Sequence, residues 1–134
     1  MNEPEESVFT KIVKGEIPCD KVYEDELTLA FMDIHPVTPG HVLVISKKQI
    51  DKLWELPDED YQAVQNTVKK VCKRIEEVLK PDRVGIKVIG IDVPHAHIHV
   101  FPFDGMDEYN RVPDMSKEPD HEALAEMAEK LAFS

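Results

Sequence analysis

Apolar residues between Asp58 and Leu79 recur every three or four positions, at Tyr61, Val64, Val68, Val71, Cys72, Ile75, Val78 and Leu79. That spacing predicts a long amphipathic helix. Asp58, Glu59 and Asp60 stand in its first turn, where the helix dipole favours negative charge, and Pro81 ends it. Lys69, Lys70, Lys73 and Arg74 fall on its outer side and read as a solvated helix face. Ahead of it, Ser7 followed by Val8, Phe9, Ile12 and Val13, then Gly15, has the form of a short capped helix. Lys21–Glu24 and Thr28–Met32 read as strands around a turn at Asp25-Glu26. Pro36, Pro39 and Gly40 mark a tight loop before a strand at His41–Ile45, and Asp51–Leu56 suits one helical turn. Two further strands are expected at Val84–Ile89 and His95–Phe101, separated by Gly90–Pro94. Asp104–Asp120 reads as a long loop, and the chain closes on an amphipathic helix from about Asp120 to Ala132. Strands gathered round one long helix, without βαβ alternation, predict an α+β fold on an antiparallel sheet.

The 134 residues suit a single domain with one core. Lys and Arg total 16 against 27 Asp and Glu, a net charge of −11 that argues against nucleic-acid polymers as ligands. No apolar run approaches the ~20 residues of a membrane helix, and the acidic stretch from Met1 to Ser7 lacks the features of a signal peptide. The expected compartment is the cytoplasm. Cys19 and Cys72 belong to no C-x-x-C pair and are expected to be free thiols. His121, at the start of the last helix, reads as a surface residue.

The sharpest chemical signal is His95-Ala96-His97-Ile98-His99. Side chains alternate along a strand, so the three imidazoles share one face, while Ala96, Ile98 and Val100 share the apolar other. Two chemistries suit such a face. Neutral imidazoles at alternate positions can share a metal ion. An imidazole titrating near neutral pH can also act as a nucleophile and form a phosphoryl-type intermediate.

The heptad His95-Ala96-His97-Ile98-His99-Val100-Phe101 resembles the signature of the histidine triad (HIT) family of nucleotide-binding proteins. Two more blocks agree, in family order: Ser7–Pro18, similar to the N-terminal helix and turn of the Hint branch, and Ala30–Pro36 with Pro39–Ile45, similar to its second signature. The resemblance covers about residues 7–102, leaving 103–134 as a loop plus C-terminal helix. It implies the HIT fold: a five-stranded antiparallel sheet with one long helix and short N- and C-terminal helices, paired into a homodimer. It also implies hydrolysis or transfer of nucleoside monophosphates held in phosphoramidates or phosphoanhydrides. By the same resemblance, His97 is the nucleophile, His95 and His99 contact phosphate oxygens, and His99 donates a proton to the leaving group. His41 matches the fourth active-site histidine, either touching substrate or orienting the others. Asp33 matches the ribose-binding position, although an aspartate before Pro36 also suits a turn cap. Phe9, Ile12, Phe31, Ile34 and Leu43 match the apolar pocket for a purine base, positions that core packing would also fill. The implied alternatives are a nucleotide-binding regulatory module with incidental hydrolysis and a dinucleoside polyphosphate hydrolase.

Departures from the family pattern narrow these expectations. Zinc-bearing members carry C-x-x-C where Ser7 and Thr10 stand, and a histidine where Gln49 stands, so no metal or other cofactor is expected. The loop before the triad is short, and Ile91 and Asp92, followed by Val93, replace polar residues that hold phosphate. Pro102 is followed by Phe103 rather than arginine. A carboxylate at position 92 repels phosphate but suits either the orienting of a histidine or the receipt of a cationic substrate group, and the acidic field favours an amine leaving group.

Overall fold

A computed structural model describes residues 5–134; most of the acidic N-terminal stretch, Met1–Pro4, lies outside the described residues. The elements run α1 (Val8–Val13), β1 (Lys21–Glu24), β2 (Thr28–Met32), β3 (Val42–Ser46), α2 (Asp58–Leu79), β4 (Arg83–Lys87), β5 (His97–Phe103), α3 (Met106–Tyr109) and α4 (His121–Leu131). The strands form one antiparallel sheet in the order β1-β2-β3-β5-β4, giving the α+β architecture expected.

Alternation along the strands builds two unlike faces. Ala30, Met32, Val42, Val44, Ile98 and Val100 pack with Val64, Val68, Val71 and Ile75 of α2 and with Leu124, Ala128 and Leu131 of α4. Leu29, Phe31, Leu43 and Ile45 point the other way and meet Phe9 of α1. With both faces covered, β2 and β3 are buried at every position, which explains their unbroken apolar runs. Helix ends follow their local chemistry. Ser7 caps α1 by accepting the Thr10 N–H, and Asp120 caps α4 by accepting that of Ala123. Lys80 takes a left-handed conformation (φ 51°) and closes α2 before Pro81.

Several boundaries differ from the sequence expectation: β3 runs one residue later than His41–Ile45, β4 starts one residue before Val84, and the last strand and the end of β4 shift further. The last strand starts at His97, not His95, because Pro94 has no N–H and the next two amides are committed elsewhere. His95 N–H donates to Val93 O (2.8 Å) and Ala96 N–H to Ile50 O (2.7 Å). The strand then continues through Pro102 to Phe103, since Pro102 lies opposite Val84 and beyond the stretch paired with β3, where a missing donor is tolerated. Its partner β4 stops at Lys87, two residues short of Ile89. Within the expected loop after Phe103, Met106–Tyr109 forms one helical turn. The turn expected at Asp51–Leu56 is a short 3-10 helix over Leu53–Glu55.

Gly40 has a close-approach role at the tight loop. Its φ is +101°, and a Cβ there would lie 2.6 Å from Leu79 Cδ1 and 3.1 Å from Pro102 Cγ. The neighbouring His41 is thereby packed against the end of the histidine strand, with its ring 5.6 Å from that of Phe101.

Candidate active site

A cavity of about 540 Å³ opens between α1, the second face of the sheet and the segment that leads into α4. Phe9, Ile12, Phe31, Ile34 and Leu43 all line it, together with Asp33, Asp92, Val93, His97 and His99. The apolar side chains expected to hold a base and the polar ones expected to work on a phosphate thus share one space. Phe9 links the two groups: its ring lies edge-on 5.6 Å from Phe31 and 5.1 Å from His97.

The four histidines divide into two that face the cavity and two that stand behind it. His97 and His99 line it; His95 and His41 are buried and do not. Each ring is fixed by its partners. His97 Nδ1–H donates to the carbonyl oxygen of His95 (2.6 Å), which leaves the lone pair of the neutral ring on Nε2. His41 Nδ1 accepts the Val37 N–H (3.1 Å), so its proton sits on Nε2 and points at His99 Nδ1, 3.0 Å away. His99 Nδ1 is therefore an acceptor, and its own proton is on Nε2. His95 Nε2–H donates to Ser46 O (2.6 Å), and its Nδ1 lies 2.7 Å from the Ser7 hydroxyl.

Both ring nitrogens of His95 are thus occupied by protein groups. This placement differs from the phosphate contact that the resemblance implied for His95, and the reason is its burial between α1 and Ser46.

Burial also keeps the His41, His95 and His99 imidazoles neutral. Desolvation lowers the pKa of His95, against the opposing hydrogen bond to Ser46 O, and lowers that of His41, against the nearby Asp33 charge. For His99, desolvation, reinforced by His41 and His97, outweighs the pull of Asp33 and Asp92 and brings the pKa to about 4. Asp33 Oδ2 lies 3.5 Å from His41 Nε2 and 3.8 Å from His99 Nδ1. With both rings neutral, those contacts near neutral pH are polar rather than ionic. The other oxygen, Oδ1, accepts the His35 N–H (2.8 Å), so the turn-cap role is also filled by this aspartate.

Among the described residues, two groups could be taken for metal centres, and neither fits. Asp33, His41 and His99 present ligand atoms within 4.8 Å of one another. However, His41 must keep its proton on Nε2 because Val37 N–H occupies Nδ1, so the atom facing the group has no lone pair. Ser7, Thr10 and Gln49, where zinc-bearing relatives were expected to have their ligands, do converge on His95. Their hydroxyl and amide oxygens lack the thiolate and imidazole character of a structural zinc set.

Part of the lining comes from residues that no sequence pattern marks. His121, exposed as expected, also lines the cavity with Pro113 and Met115, because the chain after Tyr109 folds back over this side of the sheet. Val8, Cys19, Asp20 and His35 also line it. No periodic pattern marks these residues, since they come from loops and a helix start. Among the described residues no lysine or arginine lines the cavity, whereas Asp20, Asp33 and Asp92 do.

An antiparallel sheet whose inner strand presents paired imidazoles to an apolar cavity defines an α+β protein built for small-molecule chemistry. The chain belongs to the HIT domain family, whose model matches residues 14–106. It is 38% identical over 109 residues to Protein hit of Bacillus subtilis, covering 76% of this chain and 74% of that one. Over 100 residues it is 41% identical to the adenosine 5'-monophosphoramidase hnt1 of Schizosaccharomyces pombe, covering 71% and 72% of the two chains. A crystal structure of a Hit-like protein from Bartonella henselae, described as involved in cell-cycle regulation, superposes with a TM-score of 0.84 at 30% identity. That match covers 97% of both chains.

Proposed function

We propose that this protein is a nucleoside monophosphate phosphoramidase, working through a covalent nucleotidyl-histidine on His97. The observation that carries the reading is the fixed tautomer of His97. Its Nδ1–H is held by the His95 carbonyl, leaving Nε2 as the nucleophilic atom of the neutral ring beside an apolar cavity. Phe9, Ile12, Phe31, Ile34, Leu43 and Val93 pack against a purine base, and Asp33 accepts from the ribose hydroxyls. Nε2 of His97 attacks the α-phosphorus and the P–N bond breaks. The departing amine needs a proton. His99 is neutral in the free protein; the bound phosphoryl charge raises its basicity, so it takes up a proton and passes it to the amine. Water then attacks the same phosphorus and gives its proton to the again-neutral His99, the P–Nε2 bond breaks with its electron pair returning to Nε2, and nucleoside monophosphate leaves. His41 and His95 act by orienting the two reacting rings.

Asp92 and the absence of lining cations favour an amine leaving group over a second phosphate, which would enter a cavity with three carboxylates and no lysine or arginine among its described lining. We further read the protein as a cytoplasmic homodimer without a metal cofactor. The dimer reading is supported by β4, an outer strand whose neighbourhood leaves Ile86, Val88 and Ile89 about half exposed.

The test is turnover of an adenosine or guanosine phosphoramidate in excess EDTA, by this protein and by His97→Ala. Turnover that persists in EDTA and vanishes in the variant is expected. Tight binding without turnover in either protein would instead favour a regulatory nucleotide-binding module, and activity lost in EDTA would overturn the metal-free mechanism.

A further inference from the structure

Helix α1 is tied to the histidine strand by side chains that stay out of the cavity. Ser7 Oγ accepts the Thr10 N–H (3.0 Å) and lies 2.7 Å from His95 Nδ1. Gln49 Oε1 accepts both the Ser7 N–H (2.7 Å) and the Thr10 hydroxyl (2.6 Å), while its amide donates to Glu5 O (2.9 Å).

The protons in this cluster can be assigned. His95 Nε2 must carry its proton, because it faces the carbonyl of Ser46 at 2.6 Å. Nδ1 of the neutral ring is then an acceptor that needs a donor. Thr10 Oγ1 is 3.3 Å from Nδ1, but its proton goes to Gln49 at the shorter distance. Ser7 is left as the donor. The residue that receives this proton also supplies, through its backbone carbonyl, the acceptor for His97 Nδ1–H.

We propose that Ser7, Thr10 and Gln49 are positioning residues, a hydrogen-bonded clip that locks the His95 ring and through it the tautomer of His97. The inference rests on His97 being the nucleophile. It gives the start of α1 two tasks at once: Phe9 two residues on packs on both His95 and His97, so the helix that walls the cavity also sets the reacting ring. Gln49 spends the Thr10 proton and so leaves the Ser7 hydroxyl unrivalled at His95.

Ser7→Gly separates the tasks, since glycine is a fair N-cap but has no proton to give. In the free protein, the ring-nitrogen chemical shifts of His97 are expected to move from a single tautomer toward a mixture. With a phosphoramidate substrate, kcat is expected to fall about tenfold or more while KM stays within about threefold, the pattern of a mispositioned reacting group. Ser7→Thr, which keeps the hydroxyl, should restore both. Should Ser7→Gly not fold, Gln49→Met carries the test, because it frees the Thr10 proton and must move the same two nitrogen shifts. Unchanged His97 shifts in a folded Ser7→Gly protein would overturn the proposal, whether kcat is retained or the loss appears only in KM and stability, as a helix anchor alone would give. The ring shifts need no substrate, so they judge the clip even if His97→Ala proves fully active and the nucleophile reading fails.

Discussion

Strand β5 builds two unlike surfaces from alternate residues. Toward α2 it presents Ile98 and Val100, both buried in an apolar cluster that needs no partners beyond good packing. Toward α1 it presents His97 and His99, also largely enclosed, whose Nδ1 atoms are answered by the His95 carbonyl and the His41 ring. The apolar face is stabilised by removal of surface from water. The imidazole face is costly to bury and persists because carbonyls, an amide and neighbouring rings satisfy it. The first face therefore governs whether the chain folds, and the second what it does once folded.

Substitutions one residue apart should separate those roles. His97→Ala is expected to reduce kcat/KM for a phosphoramidate by roughly 10³-fold or more while barely moving the thermal midpoint, as measured by steady-state kinetics and calorimetry. Ile98→Ala, its neighbour, should lose about 2–4 kcal/mol in a denaturant titration and keep kcat per folded molecule. Equal effects on stability from both changes would erase the distinction between the faces.

At Gly40, where the apolar end of α2 touches the loop carrying His41, alanine should cost about 1–3 kcal/mol through positive φ and contact with Leu79. Acid should act on the imidazole face. The unfolded chain binds protons to its histidines near 6.5, whereas burial lowers His41 and His95 and brings His99 to about 4. Their neutral state supports the fold fully above about pH 6.5, and that support fades as pH falls toward 4. A midpoint-against-pH series should show this loss, reduced in His99→Gln; an unchanged slope in that variant would contradict it. The smallest effect concerns Asp92. Asp92→Ser should narrow the preference for amine over phosphate leaving groups by about 1 kcal/mol, roughly fivefold, read as a ratio of kcat/KM values.

Much of this division was legible beforehand, for identifiable reasons. The long helix announced itself because Val64, Val68, Val71 and Ile75 face a single apolar layer, so their spacing follows the helical turn. The cavity residues were legible through their motif blocks, and all of Phe9, Ile12, Asp33, Ile34 and Asp92 line one space. What escaped was settled by contacts distant along the chain. The start of β5 depends on Ala96 bonding to Ile50, and the burial of His95 depends on Ser7, 88 residues away. His121 joins the cavity rim only because a loop without periodicity returns over it.

The cation-free cavity carries a kinetic consequence. A nucleotide approaching a chain of net charge −11 meets repulsion in the bulk and, among the described residues, no lysine or arginine lining the cavity to draw it in. Dissolved ions then become allies: as the Debye length shrinks from about 30 Å at 0.01 M salt to about 8 Å at 0.15 M, the encounter rate should rise. In this molecule salt would quicken the arrival of an anion where a basic site would be slowed by it.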